Sequence, residues 1–421
     1  MTTPATSQRR PQAPIAPEIP ERIQRVGKAL VAPLASVLFA FAVGAIIILF
    51  SGGNPIEAYQ GLFCGGLGVF CTGDTYGSVA APYRISETLV FTTPLILTGF
   101  SVAIAFRAGL FNIGGEGQLI MGAISSAVVG IHFATWPGWL LLPATLLAGI
   151  LGGAVWGGIV GVLKAYTGAH EVVTTIMLNY VAIFFLQYLV TGGPLQLPGQ
   201  TQVSPPIGVG ANLPKLFPQA AQVFGLPGSV YRVHTGIFIA LICAGIFYFL
   251  LMRTTLGYEI RAVGQSQRAA RYAGVSAQRT IVKTMLIAGA FAGLAGAIQT
   301  TGIYHNLPIG YQNDTTGFDA IGVALLGQNS AIGVILSAIL FAALHVGSSV
   351  MQSNAGVPAS LVAMLQGLIL FSIAANFLRS MKLRLPALRQ APVGTAPLPP
   401  GVAAIETEMD SSAELDTDVK A

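Results

Sequence analysis

Long apolar runs separated by short polar ones fill most of this chain. Runs near 29–50, 86–106, 138–163, 171–191, 235–252, 281–302, 334–350 and 358–378 approach the ~20 residues that cross a bilayer as an α-helix. A further run starts after the polar NIGGEG at 112–117 and ends near 132. The stretch 317–327 is apolar but, at ~1.5 Å per residue, too short to cross. The pattern predicts an all-α fold: a polytopic membrane helix bundle of about ten spans with broken or short helices in each half. Pro94, inside the second run, removes a backbone donor and predicts a kink. Residues 89–130 and 317–350 share one pattern: an apolar run, a Gly-polar break, an apolar run. Such paired breaks point to a transport path built on internal repeats.

Charge orients the spans. Residues 1–28 are rich in Pro, polar and basic, and are expected to be a disordered cytoplasmic segment. Residues 29–380 form the transmembrane domain, with 253–280 as a cytoplasmic loop. Residues 381–421 are a Pro-rich and then acidic cytoplasmic tail, expected to be disordered. On this path 18 of the 21 Lys and Arg fall on the cytoplasmic side, and only Arg84, Lys215 and Arg232 fall outside. That asymmetry predicts that both termini lie on the cytoplasmic side of the membrane. The polar loop 192–233 is long for a structureless connection, which points to a small surface helix and a docking role.

Composition agrees. Hydrophobic residues make up 53% of the chain and its mean hydropathy is +0.70, which excludes a soluble domain. The net charge of +5 does not imply nucleic-acid binding, because the basic residues cluster at membrane ends. The first apolar run is too long for a cleaved signal and reads as an uncleaved span. Cys243 lies in an apolar run. Cys64 and Cys71 flank GGLGVF in the first long loop, where either a disulfide or two free thiols fit. Neither arrangement suggests redox or metal chemistry.

Broken helices expose backbone groups, which are tolerated only against protein or a wet cavity. The break from Asn112 to Gln118 is therefore a candidate for the substrate path. Asn112 and Gln118 offer paired donors and acceptors suited to sugar hydroxyls or base edges. Phe111 offers an aromatic face. Glu116 is an ionisable group at membrane depth, a functional candidate that competes with a surface pairing to Arg107. Glu171, Thr175 and Asn179 follow each other at i, i+4, i+8, so Thr175 and Asn179 face either the path or a neighbouring helix. Asp319, Gln328 and Asn329 flank the second break, with Asp319 equally suited to capping the short helix. There is no G-x-x-x-x-G-K-[ST] phosphate loop, no H-E-x-x-H zinc pair and no Ser/His/Asp set.

The stretch Arg253–Lys283 carries six Lys/Arg and one Glu, in a chain with only 9% charged residues. Ser266 and Gly274 bracket a short helix there. RAVGQSQRAARYAGVS, with Arg261, Gly264, Ala269, Ala270, Arg271, Gly274 and Val275, resembles the coupling-loop signature of bacterial ABC import permeases. The branch is that of simple sugars, branched-chain amino acids and nucleosides. FRAGLFNIGGEGQLIMG (106–122) is similar to the motif of permeases paired with nucleoside-binding lipoproteins. FDAIGVALLGQNSAIG (318–333) resembles that family's Gly-rich break.

The resemblance covers roughly residues 30–380 and implies a permease subunit, not an enzyme, of an importer for nucleosides. Arg261, Gly264, Arg268, Ala270, Arg271 and Gly274 would couple it to an ABC ATPase subunit. The chain would bind no cofactor, ATP being used by the ATPase. A second related permease and an extracytoplasmic substrate-binding lipoprotein would complete the assembly in the lipid bilayer, without nucleic acid. The alternatives are a permease for a simple sugar such as ribose or for a flavin-like compound, and an ion-coupled secondary transporter with Glu116 or Asp319 as proton site.

Overall fold

Each apolar run of the sequence falls on a helix. The computed structural model describes residues 19–71, 80–200, 202–216, 231–313 and 315–382. The helices are α1 (Ile19–Phe50), α2 (Pro55–Leu67), α3 (Ala80–Arg107), α4 (Gly115–His132), α5 (Gly138–Val162) and α6 (Glu171–Val190). They continue with α7 (Gly236–Arg253), α8 (Thr255–Gln265), α9 (Gln267–Tyr272), α10 (Ala277–Ile298), α11 (Thr316–Leu326), α12 (Ala331–Ala355) and α13 (Ser360–Lys382). Among the described residues the only β-structure is two isolated bridges, Val203 to Pro308 and Lys215 to His234. Residues 1–373 form one unit. The second unit is 374–421, of which the described part is the end of α13.

Among the described residues, seven helices are long and apolar enough to cross a membrane. The other three of the ten expected spans are α4, α11 and α13. α4 opens with polar residues, α11 has 11 residues, and the described apolar part of α13 is Ser360–Ala375. The short and broken elements of the all-α bundle are thus where the sequence pattern put them. Two boundaries differ from expectation. α1 begins at Ile19, so residues 19–28 are helical where disorder was expected. ERIQRVGKAL is rich in helix formers, and Pro20 sits in the first turn, where its missing N–H costs little. Residues 1–18 and 383–421, including nearly all of the acidic tail, lie outside the described residues.

The second difference is α2, in a stretch that reads as a loop. Asn54 caps it, accepting from the Ile56 N–H at 3.0 Å, and Gly68 closes it at φ +70°. Its glycines are what disguised it and also what packs it. A Cβ on Gly66 would stand 2.4 Å from the Ala343 carbonyl oxygen of α12, and one on Gly347 of α12 would stand 2.2 Å from that of Leu62. Backbone meets backbone there, as small residues permit between membrane helices. A disulfide joins Cys64 to Cys71, with Cα atoms 4.9 Å apart, and ties the end of α2 to the chain that follows.

The same device builds the centre. α5 and α10 cross at Gly149, Gly153, Gly289 and Gly293. A Cβ on Gly293 would lie 2.2 Å from the Gly149 oxygen and 2.8 Å from the Gly153 Cα. Both neighbours are backbone, so nothing can rotate away. Gly293→Ala is expected to destabilise the protein by about 1–3 kcal/mol through overpacking. The check is the thermal midpoint of the purified protein in detergent; an unchanged midpoint would show that this seam yields.

Candidate functional site

The chain turns back on itself after α3. Gly109, at φ +72°, makes the turn, and residues 110–114 run back along α3 before α4 begins. Asn112 is fully buried. Its Nδ2 donates to Ser101 Oγ at 3.2 Å and to Gln118 Oε1 at 3.1 Å, while Gln118 Nε2 donates to Asn112 Oδ1 at 3.1 Å. Ser101 lies six residues before Arg107, so α4 starts about 9 Å inside the end of α3. Asn179 of α6 closes the break from outside. Its Oδ1 accepts from the Gly117 N–H at 2.8 Å, and its Nδ2 donates to the Ile113 oxygen at 2.9 Å. Thr175, one turn earlier, packs on Gly114 and donates to the Glu171 oxygen at 2.7 Å. Side chains thereby satisfy the backbone groups that the break exposes. Glu171, the third member of the stripe, pairs with Lys164.

Glu116 stands where two helices begin. It lies in the first turn of α4, is buried, and its Oε2 accepts from the Gly317 N–H at 2.8 Å, in the first turn of α11. A Cβ on Gly317 would be 2.3 Å from the Glu116 nitrogen, so the two N-termini touch. Helix N-termini carry partial positive charge and favour a carboxylate. Gln299 approaches the same place. It opens a π-helical turn, Gln299–Tyr304, at the end of α10, and its Nε2 donates to Thr316 Oγ1 at 3.4 Å. Such turns inside helices recur at functional sites.

The sequence-predicted path residues therefore divide. Asn112, Glu116, Gln118, Thr175 and Asn179 come together in the core, each engaged by protein. Phe111 stays 56% exposed, with its ring edge-on to Phe106. Asp319 is half-buried and accepts from Thr315 Oγ1 at 3.0 Å. Gln328 and Asn329 sit at the far end of α11, both at positive φ, and are joined there to Arg107. Arg107 Nε and a terminal nitrogen donate to the Asn329 oxygen at 3.2 and 3.0 Å. Arg107 is thus the clasp between the two breaks and not the partner of Glu116 considered from sequence. Sequence reasoning missed Ser101, Thr316 and Phe318. Phe318 is 44% exposed beside Gly317, and its place flanking the second break was the available signal.

The basic stretch forms two helices. Ser266 ends α8 and caps α9, accepting from the Ala269 N–H at 3.3 Å. Ala270 is buried with Val263 and Ala277, whereas Arg268 and Arg271 are exposed. Arg261 is half-buried on α8. Gly274, at φ +79°, turns the chain into α10. A Cβ on Gly264 would stand 2.1 Å from the Arg107 oxygen, so α8 bears directly on the end of α3.

The opposite end is covered by loop 202–216, which bonds to the end of α10. Ile207 N–H donates to the His305 oxygen at 3.0 Å, and Leu213 N–H donates to the Thr301 oxygen at 2.9 Å. The only helix in the described part of 192–233 is the single turn Val209–Ala211. Arg232 forms a two-pronged pair with Glu87 of α3. His234 lies buried beside them, its pKa pushed down to about 4 by burial and by repulsion from His305 and Arg232. A folded-state value below the ordinary 6.5 means the unfolded chain binds the proton better. Stability is therefore lost as pH falls from 6.5 toward 4, by about 3 kcal/mol at most. His234→Gln is expected to flatten the thermal midpoint between pH 7 and pH 4.5. A wild-type acid slope that the substitution leaves intact would place its origin elsewhere.

A bundle of membrane-crossing helices, with two broken segments meeting in its core and a polar helix pair at one end, defines a transport component. The chain belongs to the family of permease components of branched-chain amino acid transport systems, which matches residues 84–374. It is 37% identical over 348 residues to the guanosine ABC transporter permease protein NupP of Bacillus subtilis, covering 83% of this chain and 94% of the relative. It is also 37% identical over 349 residues to the nucleoside ABC transporter permease protein NupB of Lactococcus lactis, covering 82% and 91%. The glucose ABC transporter permease protein TsgB13 of Haloferax volcanii is 34% identical over 348 residues, covering 82% and 88%. No solved structure matches the chain. The family expected from the motifs is the one found, and the protein is a multi-pass membrane permease component.

Proposed function

We propose that this chain is the permease subunit of an ATP-driven ABC importer for nucleosides, seated in the inner membrane of a bacterium with both termini cytoplasmic. The observation that carries the substrate is the 37% identity, over more than four-fifths of the chain, to permeases named for guanosine and for nucleosides. The junction of α4 and α11 supports it: Phe318 presents an exposed aromatic ring next to Gly317, whose N–H is held by Glu116. Rings of this kind stack on bases and on sugar faces. In this reading a separate ATPase docks on α9 and hydrolyses ATP, and this chain carries no ATP site. A second related permease, like those named NupC and NupQ, completes the path. A substrate-binding lipoprotein delivers the nucleoside on the side of loop 202–216.

The glucose permease, at 34% identity, favours a second reading in which the substrate is a simple sugar. Uptake of labelled guanosine, uridine, ribose and glucose by cells with and without the gene separates the two. Loss of guanosine and uridine uptake alone supports the nucleoside reading. Loss of sugar uptake alone replaces it.

A further inference from the structure

Beside the coupling helices lies a groove of about 460 Å³ whose lining includes Thr255, Tyr258 and Glu259 of α8 with Ser276, Arg279 and Lys283 at the start of α10. We propose that this groove holds the phosphate headgroup of an anionic membrane lipid. Two cations face one carboxylate there. Neither Arg279 nor Lys283 forms an ion pair with a described residue. Glu259 lines the groove with them, and its Oε2 accepts from Thr280 Oγ1 at 3.4 Å. The hydroxyls of Thr255, Tyr258 and Ser276 add donors suited to phosphate oxygens.

What selects a lipid is the surface on which the groove opens. Arg279, Lys283 and Leu286 follow each other at i, i+4, i+7 and are all exposed, so one face of α10 changes from cationic to apolar within two turns. Phe249 and Met252, at the end of α7 just before α8, are exposed and apolar as well. An acidic protein surface has no use for that continuation; an acyl chain does. The arginines offered to an ATPase, Arg268 and Arg271, do not line the groove. Basic pockets between spans at the cytoplasmic end are where anionic headgroups bind, and each cation near the surface is worth about fivefold in affinity.

The test is native mass spectrometry of the full chain released from nanodiscs of phosphatidylcholine containing graded phosphatidylglycerol. The expected result is preferential retention of phosphatidylglycerol. It should fall about fivefold in Arg279→Gln or Lys283→Gln and about 30-fold in the double variant. The charge-preserving pair Arg279→Lys with Lys283→Arg, and the pair Arg268→Gln with Arg271→Gln, should retain it. Equal retention of both lipids, or a double variant that binds as wild type does, would overturn the proposal. So would displacement of phosphatidylglycerol by millimolar inorganic phosphate, which would make the ligand a free anion. A double variant that loses the ATPase but keeps the lipid would make the groove a protein contact.

Discussion

Exchanging Arg268 and Arg271 together for glutamate is expected to remove ATP-driven uptake, by more than 100-fold, while the protein still inserts and folds. Both side chains are exposed on α9, so their replacement costs the fold little; exposed substitutions typically stay within about 0.5 kcal/mol. The helix keeps its seat, because Ala270 points the other way, into Val263 and Ala277. What changes is the charge offered to a partner. Like charges set against each other across an interface cost several kcal/mol, enough for the loss expected here. The loss should appear as an ATPase that no longer co-purifies with the permease. Normal co-purification and uptake in the double variant would end the assignment of α9 as the docking helix. A push on α9 has a continuous route inward. α9 rests on α8, Gly264 of α8 rests on the backbone of Arg107, and the guanidinium of Arg107 holds the turn between α11 and α12.

That route was only partly legible in the chain. The helices were, since a run of ~20 apolar residues has few other stable forms in a bilayer. α9 was legible too, because a serine cap and a closing glycine bracket a six-residue polar helix. α2 was not: the three glycines and one cysteine over Gly61–Gly66 read as a loop, and only the partner glycine of α12 shows that they serve close packing. Polarity in an apolar run likewise says that a group needs a partner, not which partner. Asn112, Gln118 and Asn179 looked suited to a substrate, and the fold spends their donors and acceptors on each other and on the broken backbone. Phe318 passed as one more apolar residue, because exposure beside a helix junction is a property of the assembled bundle.

Glu116 separates structure from transport most sharply. Glu116→Ala is expected to destabilise the protein by about 3–5 kcal/mol. It leaves the buried Gly317 N–H without its charged acceptor, about 1.5–3 kcal/mol, and removes the carboxylate from two helix N-termini, about 0.3–1 kcal/mol each. The lost volume adds to this. Glu116→Gln behaves differently. Its amide oxygen can still accept from Gly317 and its volume is conserved, so the thermal midpoint should stay within a few degrees of wild type. The charge is gone, however, and with it the attraction that holds the N-terminus of α11 against that of α4. Uptake by the glutamine variant should fall at least tenfold if opening and closing of that junction carries the transport step. Wild-type uptake would reduce Glu116 to a cap that any acceptor can replace. A proton site would also fail with glutamine, but uptake through it would collapse under an uncoupler while ATP is held constant. The importer proposed here should keep its rate under that condition and lose it when ATP is depleted.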